Sequence, residues 1–447
     1  MMTKIPRFSL WRTLGVAIVA AVLLAGCGAS GAAAPKSSQG GVVTFAEGAA
    51  APPNYIFPLM SGAYFAHNNT WLFDYLMYRP LYWFGLNGEP VLNESLSLAK
   101  PPVFSDNNTV ATVTLKHWLW SDGKPITARD VMFWMNLLSA ANDPNAPTVG
   151  SSSAPGPGWG AAVPGGFPEN VVDYKQTGTY SVQFKLNASY NPTWYLYNEL
   201  SQISPLPQAS WDKTSPNGAV GNYDTEAESE VVLTGAHTPA SCTTAAPCYV
   251  PSNPGTATSG ALGVAQFLNS QSQDLSTYAT NPLWKVVDGP FKLAQFTPDG
   301  FAKLVPNKEY SGLPKPKISA FEEMPFTSDS AEFNSLRSGD LTIGYLPVED
   351  IGQKAAIEES EHYTFKLWYS PTVYYFPYNF TNPVSGPIFK QLYFRQAFQS
   401  LVNQKEYIKQ FSDGLGIVTN GPVPEYPKGN PDESKLEEDG QVYPYDP

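Results

Sequence analysis

The alternation of apolar and polar positions divides the chain into segments of recognisable period. GVVTFAEG, residues 41–48, is short, apolar and β-branched, and predicts a first strand. WLFDYLMYRPLYWF, residues 71–84, predicts a helix running into a proline-terminated segment. ATVTLKHWLW, residues 111–120, alternates and is rich in Thr, Val and Trp, as a strand should be, and the Asp122-Gly123 pair behind it predicts a tight turn. Thr127 then stands three residues before Asp130, the spacing at which a hydroxyl caps the first helical amides and a carboxylate reaches back to the cap. Val131, Trp134, Met135 and Leu138 recur at helical spacing on one face.

Residues 116–138, KHWLWSDGKPITARDVMFWMNLL, gather His, Ser, Asp and Lys as a catalytic centre does. The periodicity gives them another use. In a strand, tight turn and capped helix, the tryptophans pack the core while Ser, Asp and Thr hold the turn and the cap. The rest of the chain lacks G-x-S-x-G, H-E-x-x-H and a P-loop, and GPGWG at 156–160 is not a full dinucleotide fingerprint. His67, His117, His237 and His362 are far apart in sequence. Glu322-Glu323 and EESE at 358–361 read as solvated acidic faces. No enzyme activity, cofactor or metal is expected.

The amino terminus sets the compartment. Lys4, Arg7 and Arg12 precede the apolar run Leu14–Ala25, which is shorter than the roughly 17–25 residues of a membrane-spanning helix. This is an export signal. Leu24-Ala25-Gly26-Cys27 resembles a bacterial lipobox, so residues 1–26 are expected to be removed and Cys27 to carry lipid; a plain signal peptide with an incidental cysteine is the alternative. Residues 27–41 follow as a flexible tether with a reach of roughly 20 Å. Cys242 and Cys248 are the remaining cysteines and are expected to pair as a disulfide in an oxidising compartment, since two cysteines without a nearby histidine or second pair do not make a zinc site.

Of 27 basic residues, the leader removes three, leaving 24 against 39 acidic ones, a net charge of −15. That disfavours nucleic acid as a partner. The 25 Tyr, 24 Phe and 11 Trp against 4 His suit a groove that grips extended ligands better than a hydrolase.

WSDGKPITARDVMFW closely resembles the signature of the extracytoplasmic solute-binding proteins of peptide ABC transporters, the oligopeptide and dipeptide binding family. More of the chain agrees in the family's order: VVDGPFKLAQFTPDGFAKLVPNKEYSG at 286–312, SAEFNSLRSGDLTIGYLP at 330–347 as a helix followed by a strand, and VYYFPYNFTNPVSGPIFKQLYFRQAFQSLVNQ at 373–404. The whole reads as a lipoprotein of actinobacterial type.

The resemblance implies an α/β protein of two-lobed, type II periplasmic-binding architecture with an inserted accessory subdomain. Residues 42–70 and 283–372 would form the first-lobe core, 71–282 the insertion, and 373–447 the connecting strand, TVYYFPYN, and the start of a second lobe. Tyr374 and Tyr375 match family positions lining the cleft, although strand alternation would turn one of them into the core, and Asn379 closes the strand. Asn54 and Tyr64 lie in the loop APPNYIFPLMSGAYF at the family's cleft edge. Trp159 lies where the family often sends an aromatic towards ligand, its other use being to anchor the 142–170 loop. The chain closes on Asp446-Pro447, a helix opening, where the family continues with the rest of its second lobe; the second lobe is therefore expected to be incomplete. The function implied is a monomeric, lipid-anchored receptor at the outer face of the cell membrane that closes on a peptide or other small solute and delivers it to the membrane permease of an ABC importer. A secreted carbohydrate-acting hydrolase and a degenerate surface lipoprotein without a transport role are the alternatives.

Overall fold

A computed structural model describes residues 40–86, 89–142, 159–162, 165–218, 261–367, 373–421 and 442–446. The expectations on Cys27, Cys242 and Cys248 lie outside the described residues.

Strand β1 (Gly40–Ala46) forms where the β-branched run places it. A small antiparallel pair, β2 (Phe84–Leu86) and β3 (Glu89–Leu92), precedes a four-stranded antiparallel sheet made of β4 (Val103–Ser105), β5 (Val110–Thr114), β6 (Val171–Gly178) and β7 (Ser181–Leu186), in the order β4-β5-β7-β6. β5 is shorter than its sequence pattern. Beyond Thr114 the backbone bonds turn to Tyr180, Leu98 and the Ser311 hydroxyl, and only isolated bridges at Leu115 and Leu119 remain.

The second large sheet joins distant parts of the chain. Strands β8 (Phe291–Phe296), β9 (Ala302–Pro306) and β10 (Ile318–Met324) give the order β1-β10-β9-β8, with β1 parallel to β10 and the other pairs antiparallel. Everything from Glu47 to Pro290, including the other sheet, intervenes between neighbours in this one.

Helix α1 (Ala128–Asn142) is the centre of the main core. Its pattern predicts one apolar face, yet every residue from Val131 to Ser139 is buried, because β6, β7 and helix α2 (Ala261–Ser272) pack around it. A helix enclosed on all sides must satisfy its own polar groups. Asn136 Nδ2 and Ser139 Oγ do so by donating to the carbonyls of Met132 and Met135, both at 2.9 Å.

The cluster ahead of α1 is scaffolding. Trp118, Trp120 and Trp134 are buried, and Gly123 takes φ +85°, the left-handed turn conformation that glycine tolerates. Ser121 stitches this turn to the 286–289 segment. Its N–H donates to the Val287 carbonyl (2.8 Å), its hydroxyl donates to the Lys285 carbonyl (2.9 Å), and Val287 N–H donates to the hydroxyl oxygen (3.1 Å). Asp130 reaches back to accept from Thr127 N–H at 2.8 Å, as the capping spacing predicts, and the Thr127 hydroxyl donates to the same carboxylate at 3.4 Å. Gly289 lies so close to the Leu76 and Met77 backbone that a Cβ would sit 2.5 Å from the Leu76 carbonyl oxygen.

On the far face of the β1 sheet a second, smaller core forms. Helix α3 (Asp329–Arg337), capped by the Ser328 hydroxyl accepting from Ala331 N–H at 3.2 Å, packs Phe333 and Leu336 against Ala46, Leu341 and Ile357, the last from helix α4 (Lys354–Ser360). The strand expected after α3 is reduced to one parallel bridge, Phe45 with Ile343, along the free edge of β1. Residues 373–379 are in no strand, contrary to the connecting strand expected there, and lead into helices α5 (Leu392–Ser400) and α6 (Gln404–Ser412), neither of which has a buried residue. Among the described residues no helix is long and apolar enough to cross a membrane.

Candidate functional site

Parallel strands direct their carboxyl ends, and the loops that follow them, to one side of a sheet, where ligands of open α/β folds bind. Here β1, β10 and the Ile343 bridge share that direction. The loop after β1 is held firmly. Ile56 and Phe57 N–H both donate to the Ser272 hydroxyl at the end of α2 (2.9 and 3.0 Å), and the Tyr55 hydroxyl donates to Asn269 Oδ1 at 2.7 Å.

The two residues expected at this edge occur together. Asn69, buried, receives Asn54 N–H on its Oδ1 (2.8 Å) and donates to both Asn54 Oδ1 (2.9 Å) and the Tyr64 carbonyl (2.8 Å). The Tyr64 ring stacks on Tyr55 with centroids 4.3 Å apart. Asn54 is exposed and Tyr64 half-buried, so the pair offers a polar rim over an aromatic floor. Trp159 sits against the same loop, where Gly160 N–H donates to the Met60 carbonyl at 2.7 Å, but its ring turns inward. It is buried at 7% exposure and packs edge-on against Trp134 and Phe167, both at 5.7 Å, in the main core. Tyr374 and Tyr375 are 93% and 75% exposed. Asn379 Oδ1 accepts from the N–H groups of Thr381 and Asn382 and from the Thr381 hydroxyl, forming a turn that ends the extended segment.

At the carboxyl end of β1 lies an acidic hollow of about 350 Å³, lined by Glu47, Gly48 and Ala49 after β1, Asp329 and Glu332 from the first turn of α3, and the 345–349 segment. Glu332 is fixed by Tyr345 N–H, which donates to its Oε1 at 2.8 Å. This contact explains Gly344, where a Cβ would stand 2.5 Å from the same oxygen. Glu47 is 1% exposed, and neither carboxylate oxygen has a hydrogen-bond partner. Burial, with Asp299 adding repulsion, pushes it up to about 8.

Behind the hollow, Glu323 on β10 and Asp74 are also fully buried without partners. Burial raises both well above the carboxylate range, and for Glu323 the charges of Glu47 and Asp74 add to it. Glu323 therefore corrects the expectation of a solvated Glu322-Glu323 face. Only Glu322 fits it, paired with Lys303 at 2.8 Å. Strand alternation in ISAFEEM places Glu323 on the same side as Phe321, and that signal was present in the sequence. Glu47 and Glu332 had no comparable signal, since the meeting of β1 with α3 joins residues almost three hundred positions apart. Among the described residues no group of His, Cys, Asp and Glu is arranged to hold a metal ion.

With this geometry, the class of protein follows from likeness to known folds. The chain is similar to the oligopeptide-binding protein AppA of Bacillus subtilis, solved with a nonapeptide (17% identity, 90% of this chain and 64% of that one, TM-score 0.54). It is similar too to NikZ of Campylobacter jejuni, solved with Ni(L-His) (15% identity, 91% and 60%, TM-score 0.53). The fold is thus that of the type II periplasmic binding proteins. The sequence profile of the bacterial extracellular solute-binding proteins, family 5, matches residues 95–447, and the chain belongs to that family. A relative in Brucella ovis, provisionally named as an ABC transporter peptide-binding protein, is 26% identical over 148 residues, 32% of this chain and 26% of the relative. The chain thus spans about a quarter of the curated relatives it matches and under two thirds of AppA.

Proposed function

We propose that the protein is an extracytoplasmic receptor, tethered to the membrane through a lipid on Cys27, that captures a peptide-like solute by lobe closure and passes it unaltered to the permease of an ABC importer. Membership of the solute-binding family across residues 95–447 carries this reading. The parts of the molecule suit it. A rigid sheet and anchored loop supply one wall of a binding surface, with Asn54 and Tyr64 at its edge. The extended segment bearing Tyr374 and Tyr375, ended by the Asn379 turn, supplies aromatic side chains for a ligand backbone. Affinity from main-chain hydrogen bonds is blind to side chains, which favours a broad range of peptides.

A thermal-shift screen of di- to hexapeptides against the purified protein tests the reading: a ligand that binds only the folded state raises the melting temperature with its concentration. Peptides that leave Tm unchanged at millimolar concentration, together with no co-purified solute by mass spectrometry, would refute it. The anchor is tested separately, by loss of membrane fractionation in Cys27→Ser.

A further inference from the structure

We propose that the hollow at the carboxyl end of β1 takes a cationic group of the solute, the ammonium of a lysine-type or the guanidinium of an arginine-type side chain, with Glu47, Asp329, Glu332 and Glu349 as its anionic wall. The inference rests on the solute-receptor reading and adds a charge preference to it.

Three observations converge on this site. The first is place: the hollow opens where the parallel pair β1 and β10 ends, the position at which open α/β sheets receive ligands. The second is shape. About 350 Å³ lies at the small end of ligand cavities, room for one side chain or a small amine and too little for a whole peptide. Its walls are mixed, with Leu346, Pro347 and Val348 offering apolar surface to a methylene stem and carboxylates offering charge to its tip.

The third is an unsatisfied group. Glu47 lines the hollow, is buried, and has both carboxylate oxygens without a partner, while no lysine or arginine is among the lining residues. Buried polar atoms are nearly always paired, and an exception needs a reason. A cation entering the hollow supplies the missing partner. The amino terminus of α3 also faces this region and opposes a cation with its partial positive charge, but that field amounts to roughly half a unit. Asp329, Glu332 and Glu349 outweigh it, and Glu47 adds a fourth charge once it ionises.

The groups around Glu47 shape the linkage to protons. After burial, which comes first in each case, Asp299 from the β8–β9 turn raises Glu47, Glu47 and Asp74 raise Glu323 on β10, and Glu332 and Glu47 raise Tyr345. With Glu47 pushed up to about 8, its carboxyl is mostly protonated in the empty hollow at pH 7. A bound cation favours the ionised form, so binding at pH 7 releases a proton.

The test is calorimetric titration at pH 7 of the lysine tripeptide Ala-Lys-Ala and its uncharged counterpart with norleucine, and of the free amines cadaverine and agmatine. The expected result is a preference for the lysine peptide of roughly tenfold, the scale of a charged hydrogen bond. Proton release should appear as a heat that varies with buffer ionisation enthalpy. Glu47→Gln should remove the proton release and most of the preference. Glu349→Gln, an exposed substitution, reduces the preference should the first variant not fold. Glu359→Gln, an exposed acid of α4 outside the hollow, controls for net charge and should change neither. Equal binding of the two peptides overturns the inference and leaves the receptor reading standing. Binding of cadaverine or agmatine that is lost in Glu47→Gln, without binding of either peptide, supports the inference and overturns the peptide reading. Failure of every probe to bind overturns the inference, while the receptor reading stands or falls by the wider peptide screen.

Discussion

Two regions of this molecule use the same residue types to opposite ends. Around α1, aromatic side chains are enclosed: Trp134, Trp211 and Trp284 are each at most 1% exposed, and Trp134 packs against Trp159 and Phe167. Along 373–411 they stand in the open, with Tyr374 at 93%, Tyr375 at 75% and Phe411 at 69%. The rings of the second region touch mainly one another, as in Tyr378 with Phe389 (5.3 Å) and Tyr407 with Phe411 (5.2 Å). Burial is a property of what surrounds a side chain. α1 lies between a sheet and another helix, whereas α5 and α6 present amphipathic faces with no buried residue.

The contrast can be broken most sharply in the enclosed region. Trp134→Ala should lower unfolding free energy by about 3–5 kcal/mol, through lost burial and the cavity left among Trp159 and Phe167, measured by urea denaturation; a loss under about 1 kcal/mol would place α1 outside the stabilising core.

Next in size is pH. Asp130 is pushed up to about 6 and Asp288 and Glu47 to about 8, burial being the first cause in each. A carboxyl whose folded value exceeds its unfolded one binds its proton more tightly when folded. Its stabilising contribution is complete below about pH 4 and is lost as pH rises through the folded value. Between pH 5 and pH 8.5 the protein should therefore lose stability as these groups ionise, read as a lower Tm at the higher pH. A Tm that climbs over that interval is incompatible with carboxyls raised by burial.

Thr127→Ala should cost about 1 kcal/mol and leave peptide affinity unchanged, since its hydroxyl serves the Asp130 cap and touches no hollow. Affinity falling without stability would return the Trp-Ser-Asp-Gly region to the binding surface. Smallest in stability are Tyr374→Ala and Tyr375→Ala, within about 0.5 kcal/mol of the parent, although under the proposed function they weaken peptide binding. Unequal stability effects from the two would indicate that one ring packs inward.

Local signals in the sequence carried the elements well. β1, the Gly123 turn, the Asp130 cap and α3 stand where pattern and spacing place them, because each depends on residues within a few positions of one another. The region 373–379 shows the limit of that. Its aromatic, β-rich run is written like a strand, yet a strand exists only where a partner edge pairs with it, and none of the described residues does so. The Asn54 and Tyr64 edge was legible as a loop after the first strand; that Asn69 would join them was not.

By itself the sequence determined the family signature, the periodicity of the elements and the scaffolding role of Trp-Ser-Asp-Gly, since all of these are encoded over short separations. Tertiary structure alone decided that α1 is enclosed on every side, that Trp159 turns inward, and that Glu47 and Glu332 share one hollow. Those outcomes depend on which surfaces meet when β1 pairs with β10 across most of the chain. Burial and the electrostatics that follow from it are properties of the assembled neighbours, and no local pattern records them.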